Sequence, residues 1–403
     1  MRGPPELGNP AGSASGLASL ESGPRRTLTS IGPVRNQKDG KHVHHRIGIL
    51  GTGNIFGRYV TGMARYPELE IVRVGDIDVD RAKRAAEGHG IPAWGDGDEL
   101  YADDSIDILV NLTPPAHHAR TVIRALESGK HVYVEKPLAA TVAEAREVLA
   151  VAGTSGRVLG SAPDTFLGSA SQTARKALDD GLIGEPIGVS AFIRHSKAET
   201  WHPDPRFLFQ PGGGPVLDMG PYYLAILVNL LGPVRSVAGA ARVGAPVRAV
   251  TAPDRVVDRI DVEVATHASA VLVFGSGVIG TTLMSFDVWD SDLPAIEVYG
   301  TEGTLTLPNP NHFDGDVRVR RHGDADWTVL PPVVGLFGAV GTKEQARRGL
   351  GVRDLADAIE GGPHRANATF AFHVLEALSA IDGPAQVVQL ESTCERPAPR
   401  FAE

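Results

Sequence analysis

Lys136 stands in Glu135-Lys136-Pro137, directly after the apolar run His131-Val132-Tyr133-Val134. A lysine at the C-terminal end of a parallel strand faces the crevice where ligands bind. Pro137 removes a backbone donor and fixes the exit of the chain. An ammonium next to an alcohol stabilises the developing alkoxide, so this position suits chemistry on a hydroxyl. A second candidate is Gly51-Thr52-Gly53, which follows the strand-like run Ile47-Gly48-Ile49-Leu50 and precedes a helical spacing at Phe56, Val60 and Ile55, Tyr59, Met63. Glycines there let the backbone turn tightly and let a pyrophosphate approach a helix N-terminus. The fit to G-x-G-x-x-G is imperfect, because Phe56 holds the last place and Gly57 comes one later. Asp76 adds weight: it lies 23 residues after Gly53, at the end of the next strand pattern. A carboxylate there can accept both ribose hydroxyls of an adenosine and repel a 2′-phosphate. Like unit charges at ~4 Å cost about 4 kcal/mol at an effective dielectric of 20, which favours NAD over NADP.

These residues need a scaffold, and the hydropathy pattern supplies one. From residue 46, short apolar strands alternate with helical periods: strands near 47–50, 71–74, 106–110, 131–134 and 158–162, helices from 55, from 79, over 116–128 and over 143–152. That rhythm predicts a parallel sheet with helices on both faces. After about residue 165 it changes. Helical patterns near 169–179 and 217–231 flank an extended stretch, and residues 235–330 are mostly strand-like. The segment 271–286, with Gly275-Ser276-Gly277 at its centre, reads as a hairpin. Two amphipathic segments, 352–360 and 367–381, follow. The expected fold is α/β: an N-terminal Rossmann domain over 46–165, then an α+β domain over 166–385 with an open, mainly antiparallel sheet. Residues 1–45, where Gly, Pro and Ser fill 17 positions and no apolar period shows, read as a disordered extension. Residues 386–403, with Pro397-Ala398-Pro399, read as a loose tail.

Taken together, the motifs resemble the Gfo/Idh/MocA oxidoreductase family. The stretches that carry the resemblance are Gly51-Thr52-Gly53-Asn54-Ile55, Asp76, Thr113-Pro114-Pro115-Ala116-His117-His118 and Gly129-Lys130-His131-Val132-Tyr133-Val134-Glu135-Lys136-Pro137. The likeness runs from about residue 46 to 235, with a fainter echo to about 382. It implies cofactor contacts from Gly51, Gly53, Asn54, Ile55, Asp76, Thr113, Pro114, His118, Glu135 and Lys136. In the family the lysine of Glu-Lys-Pro contacts the reacting hydroxyl, and Lys136 takes that place. The histidine after the Pro-Pro turn maps to His118, which could equally cap its helix.

A further stretch, Gly212-Gly213-Gly214-Pro215-Val216-Leu217-Asp218-Met219-Gly220-Pro221-Tyr222, resembles the family's Gly-Gly-Gly…Asp-x-Gly-x-His. Asp218 matches, and Tyr222 stands where most members carry a catalytic histidine. Four residues apart on one helix, the two would share a face, with Pro221 kinking it. A free tyrosine has a pKa near ~10 against about 6.5 for histidine, so a phenol in this role needs a neighbouring cation. The expected arrangement is a Lys136–Tyr222 pair with Asp218 orienting the substrate hydroxyl. Tyr222 positioning substrate only, or Tyr223 facing the site instead, are the alternatives. Arg194, Trp201 and His202 fall in a segment that lines substrate in relatives, where an aromatic can stack on a sugar face. His373 reads as structural.

The resemblance implies hydride transfer between NAD(H) and a secondary alcohol of a sugar, glycoside or cyclitol. Two other outcomes belong to the same family: a redox-neutral glycosidase that retains NAD, and a non-catalytic dinucleotide-binding regulator. It also implies face-to-face pairing of the second domain, as a homodimer or homotetramer. Composition narrows the partners. The net charge of −9 disfavours nucleic acid, and 42 % apolar with 22 % charged residues is a globular composition. No apolar run reaches the ~18 residues of a membrane span. The one cysteine, Cys394, excludes an intrachain disulfide and suits a cytoplasmic location. No metal is expected: His42, His44 and His45 lack acidic or Cys companions. Arg25-Arg26 is not followed by the apolar run of an export signal.

Overall fold

The computed structural model describes residues 43–196, 198–333 and 348–401. The expected N-terminal extension, His42 and Arg25-Arg26 lie outside these residues, save for the last three positions of the extension. Order starts with β1 (His45–Leu50), whose residues are buried on both faces except Arg46. A strand so enclosed belongs in the middle of a parallel sheet. It is followed by α1 (Phe56–Met63), β2 (Leu69–Gly75), α2 (Val79–His89), β3 (Ala93–Gly95), α3 (Gly97–Ala102), β4 (Ile108–Asn111), α4 (His118–Glu127), β5 (His131–Val134), α5 (Val142–Ser155) and β6 (Leu159–Ser161). All six strands run parallel in the order β3-β2-β1-β4-β5-β6. The order reverses between β1 and β4, and a crevice opens there at the strands' C-terminal ends.

Local chemistry sets the helix starts. Asp78 caps α2 by accepting from the Arg81 N–H, and Thr141 with Glu144 forms a capping box on α5. Gly51 needs its freedom: φ is +99°, and a Cβ there would come within 2.8 Å of the Leu112 carbonyl. The three-residue β3 and the short α3 were not anticipated, since elements of that length carry too little period to read.

The second part begins with α6 (Ser169–Asp179), β7 (Pro186–Arg194) and α7 (Ala198–Trp201). The helix expected over 217–231 is two helices, α8 (Gly214–Asp218) and α9 (Gly220–Leu231). Pro221 cannot donate to the preceding turn, so the chain breaks at Met219 and restarts with proline in the first turn of α9. Asp218 and Tyr222 therefore sit on either side of a joint, not on one helix face. All twelve residues of α9 are buried, which fits its mean apolar character on every side.

Strands β8 (Val234–Arg242), β11 (His267–Phe274), β12 (Ile279–Ser285), β13 (Ile296–Gly300), β14 (Gly303–Leu307), β15 (Arg318–Arg321) and β16 (Thr328–Val329) join β7 in the large sheet, and β9 (Val247–Ala249) with β10 (Arg259–Asp261) forms a separate ribbon. The expected hairpin is β11–β12. Helices α10 (Leu350–Ile359) and α11 (Ala368–Asp382) precede the edge strand β17 (Gln386–Gln389). The nine strands follow the order β16-β15-β14-β13-β7-β12-β11-β8-β17, antiparallel throughout except for the β7–β12 pair.

The expected loose C-terminal segment is pinned. β17 pairs with β8, Arg175 donates to the Pro397 carbonyl at 2.8 Å, and Arg365 donates to that of Ala398 at 3.1 Å. His45 is buried in β1 and contacts Glu360 at 3.1 Å. His373 accepts from the Val234 N–H at 2.9 Å and serves the core. No helix of the described residues is long and apolar enough to cross a membrane.

Candidate active site

A cleft of about 1480 Å³ runs along the C-terminal ends of the parallel strands. Gly51, Gly53, Asn54 and Ile55 line one wall, and Thr113, Pro114 and His117 line another. Nothing lies within 4 Å of where a Cβ on Gly53 would be, so the space above this turn is open. The turn precedes α1, and its room and backbone donors fit a pyrophosphate.

Asp76 marks the far end of this wall. Its Oδ2 accepts from the Thr52 N–H and hydroxyl, each at 2.8 Å, and its Oδ1 accepts from the Asp78 N–H at 3.0 Å. Arg81 adds two more bonds, Nη2 to Oδ1 at 2.5 Å and Nε to Oδ2 at 3.2 Å. Burial works against the carboxylate, but Arg81 and then Thr52 and Asp78 outweigh it and hold its pKa down to about 2.

Lys136 emerges from the end of β5 at the opposite side of the cleft. Its Nζ donates to the Asp218 carboxylate at 3.0 Å and to the Asp218 carbonyl at 2.8 Å. Burial penalises the ammonium. The Asp218 charge, followed by Tyr222 and Glu135, overrides this and holds Lys136 above the ordinary lysine range. The lysine is a firm cation. Glu135 supports it from below: Oε2 accepts from the Lys136 N–H at 2.8 Å, and Oε1 accepts from the Tyr59 hydroxyl at 2.9 Å.

Tyr222 reaches the same cleft. Lys136 Nζ lies 5.3 Å from its ring centroid, so the two meet ring to cation rather than by a hydrogen bond. The tyrosine hydroxyl has another partner, Arg348, which donates from Nη2 at 3.4 Å, the long limit of a hydrogen bond. The Arg348 guanidinium also lies 5.3 Å from the Tyr222 ring centroid. Asn311 accepts from it at 2.9 Å, and buried Asp164 faces it at 3.4 Å. Asp164 in turn accepts from the Gly349 and Gly351 N–H groups, both at 3.1 Å. Sequence reasoning missed Arg348 and Asp164. Neither has a local motif, and Arg348 follows Tyr222 by 126 residues.

Other expected site residues lie elsewhere. His118 is fully buried, its ring 2.6 Å from the Pro137 carbonyl and 2.7 Å from that of Thr113. It ties the Thr113 turn to the Lys136-Pro137 turn, and it is His117 that lines the cleft. Burial lowers the His118 pKa despite those two carbonyls. Tyr223 is packed in the core, where burial pushes its phenol up to about 12, so it does not face the site. Arg194 is drawn away to the Ser291 hydroxyl at 2.6 Å. Trp201 and His202 form an edge-on pair outside the cleft, because the short helix α7 carries Trp201 outward. Phe207, with Gln210 and Pro211 after it, lines the cleft, as do Tyr101 and Tyr222.

Comparison with known proteins bears on the fold and the family. Residues 45–162 match the family model described as an oxidoreductase family with an NAD-binding Rossmann fold, and residues 171–306 match the GFO/IDH/MocA C-terminal domain. The chain is 30 % identical over 347 residues to dTDP-3,4-didehydro-2,6-dideoxy-alpha-D-glucose 3-reductase of Streptomyces antibioticus, covering 83 % of this chain and 96 % of the relative. It is 27 % identical over 273 residues to scyllo-inositol 2-dehydrogenase (NAD(+)) of Bacillus subtilis (strain 168), covering 66 % and 75 %. A solved structure of levoglucosan dehydrogenase in complex with NADH and levoglucosan shares the fold, with a TM-score of 0.74 at 20 % identity, covering 87 % of this chain and 100 % of that one.

Proposed function

The chain belongs to the GFO/IDH/MocA family of oxidoreductases, and from that premise we propose that it moves hydride between NAD(H) and a secondary alcohol of a sugar, glycoside or cyclitol. One observation carries the reading: Lys136, Asp218 and Tyr222 converge in the same cleft as Gly53 and Asp76. Gly51, Gly53, Asn54 and Ile55 would hold the pyrophosphate, Asp76 the adenosine ribose, and Thr113 with Pro114 the adjoining wall. NAD is preferred over NADP, because a carboxylate at the ribose disfavours a 2′-phosphate. The named relatives support the substrate class, since they include a sugar reductase and an inositol dehydrogenase.

Bound nicotinamide supplies the site where hydride is accepted or released. The chain's own residues handle the oxygen and its proton. Lys136 has three N–H donors and spends two on Asp218, which leaves one for the substrate oxygen. Held as a cation, it stabilises negative charge on that oxygen but does not take the proton. As phenolate, Tyr222 takes the substrate proton during oxidation, and as the resulting phenol it returns that proton during reduction. Asp218 fixes the lysine through Oδ1, with Oδ2 left to accept from a second substrate hydroxyl.

The test is absorbance at 340 nm with purified protein, NAD and a panel of sugars, glycosides and inositols. A compound that raises it is expected, and Lys136→Ala should lower kcat/KM on that compound by about 10²–10³-fold while still binding NADH. Full activity in the variant would remove Lys136 from the reaction. If no compound gives a signal and denatured protein releases NAD(H), the redox-neutral reading takes over.

A further inference from the structure

The Asp76 carboxylate is crowded. Two oxygens with about four lone-pair directions between them receive five N–H or O–H donors. No acceptor position is left for a ribose diol while all five stay in place. The donors of Thr52 and Asp78 belong to the turn itself. Arg81 differs: its side chain is 47 % exposed, it projects from the first turn of α2, and it lines the cleft. It can withdraw without moving the backbone.

We infer that Arg81 determines cofactor specificity here, acting as a counter-ion that lets the ribose pocket accept a 2′-phosphate as well as a 2′-hydroxyl. The inference rests on Asp76 being the ribose ligand, as proposed above. An unpaired carboxylate at this position repels a 2′-phosphate strongly. Paired with a guanidinium, it leaves a nearly neutral site. The planar fork of arginine matches two oxygens of a phosphate as well as it matches a carboxylate. With NAD, Arg81 swings out and the ribose hydroxyls take its place on Asp76. With NADP, Arg81 turns its fork to the phosphate and stays between two anions. Nearby charges do not substitute for it. Asp78 is engaged in capping α2, and Lys83 lies over the Trp94 ring. The preference for NAD set by Asp76 is therefore narrow.

Titrating the intact protein with NADH and NADPH, followed by nicotinamide fluorescence, gives both dissociation constants without turnover. Wild type should bind NADPH within about tenfold of NADH. Arg81→Gln should weaken NADPH by about 30-fold or more and leave NADH equal or several-fold tighter, since a competitor for Asp76 is gone. Arg81→Lys, which keeps the charge but not the fork, should fall between. An NADPH affinity more than a hundredfold below that of NADH in wild type overturns the inference, as does an equal loss of both cofactors in Arg81→Gln. If wild type binds neither, the ribose assignment of Asp76 is what fails.

Discussion

Tyr222 draws two cations to its ring, Lys136 and Arg348, each 5.3 Å from the centroid. They do different jobs. Lys136 faces the cleft and is tied to Asp218, whereas Arg348 is buried and anchored by Asp164 and Asn311. We therefore propose Arg348 as a positioning residue that holds the tyrosine hydroxyl through its 3.4 Å contact from Nη2. Arg348→Met should cut kcat about tenfold with little change in KM, and should cost roughly 3–5 kcal/mol of stability because Asp164 loses its counter-charge. Arg348→Lys should restore the stability more fully than the rate, because a point charge cannot reproduce the guanidinium fork. Steady-state kinetics beside urea unfolding separates the two effects. A folded Arg348→Met protein with unchanged kcat would show that the arginine only supports the core.

At the scale of elements, α1 carries this arrangement from behind. A Cβ on Gly62 would come within 1.6 Å of the Arg348 carbonyl oxygen, so the helix and the Arg348 backbone can touch only because residue 62 has no side chain. Gly62→Ala should therefore destabilise by about 2–3 kcal/mol, as overpacking does. Gly88 in α2 is the control: nothing lies near its added Cβ, and Gly88→Ala should be neutral or stabilise by up to ~1 kcal/mol. Urea midpoints of both variants decide the matter. The same contrast explains what the sequence made legible. Lys136, Asp76 and the glycine turn announce themselves through immediate neighbours, and strand–helix alternation places them at one edge. Phe207 lines the cleft, and Arg348 and Asp164 sit behind Tyr222, through tertiary packing, which leaves no local period. Trp201 and Tyr223 misled because residue type shows what a side chain can do, not which way its helix turns it. The break at Met219 was half legible: Pro221 was marked, but a kink and a restart look alike until the next turn is built.

For the whole molecule, the nine-stranded sheet has one face covered by helices and another that presents apolar groups to solvent. Val271 is 43 % exposed, Ile279 54 % and Val387 69 %, on three different strands. Register places Val387 and Val271 in one row across Ala238 of β8. We propose that this face pairs with a second copy. Light scattering should give twice or four times the 42.5 kDa chain mass, and Ile279→Asp with Val271→Asp should shift it toward one chain. A monomeric wild type would rule the pairing out. The apolar cluster on one face of the parallel sheet has a different partner, namely helix α11. Phe372 and Leu375 of α11 complete the cluster built on Val132, Val134 and Val148 from β5 and α5. During synthesis, the parallel sheet is made well before the helix that covers it. About two hundred residues separate the last strand of the parallel sheet from the helix that completes its core, and over that interval of synthesis the apolar face stays open.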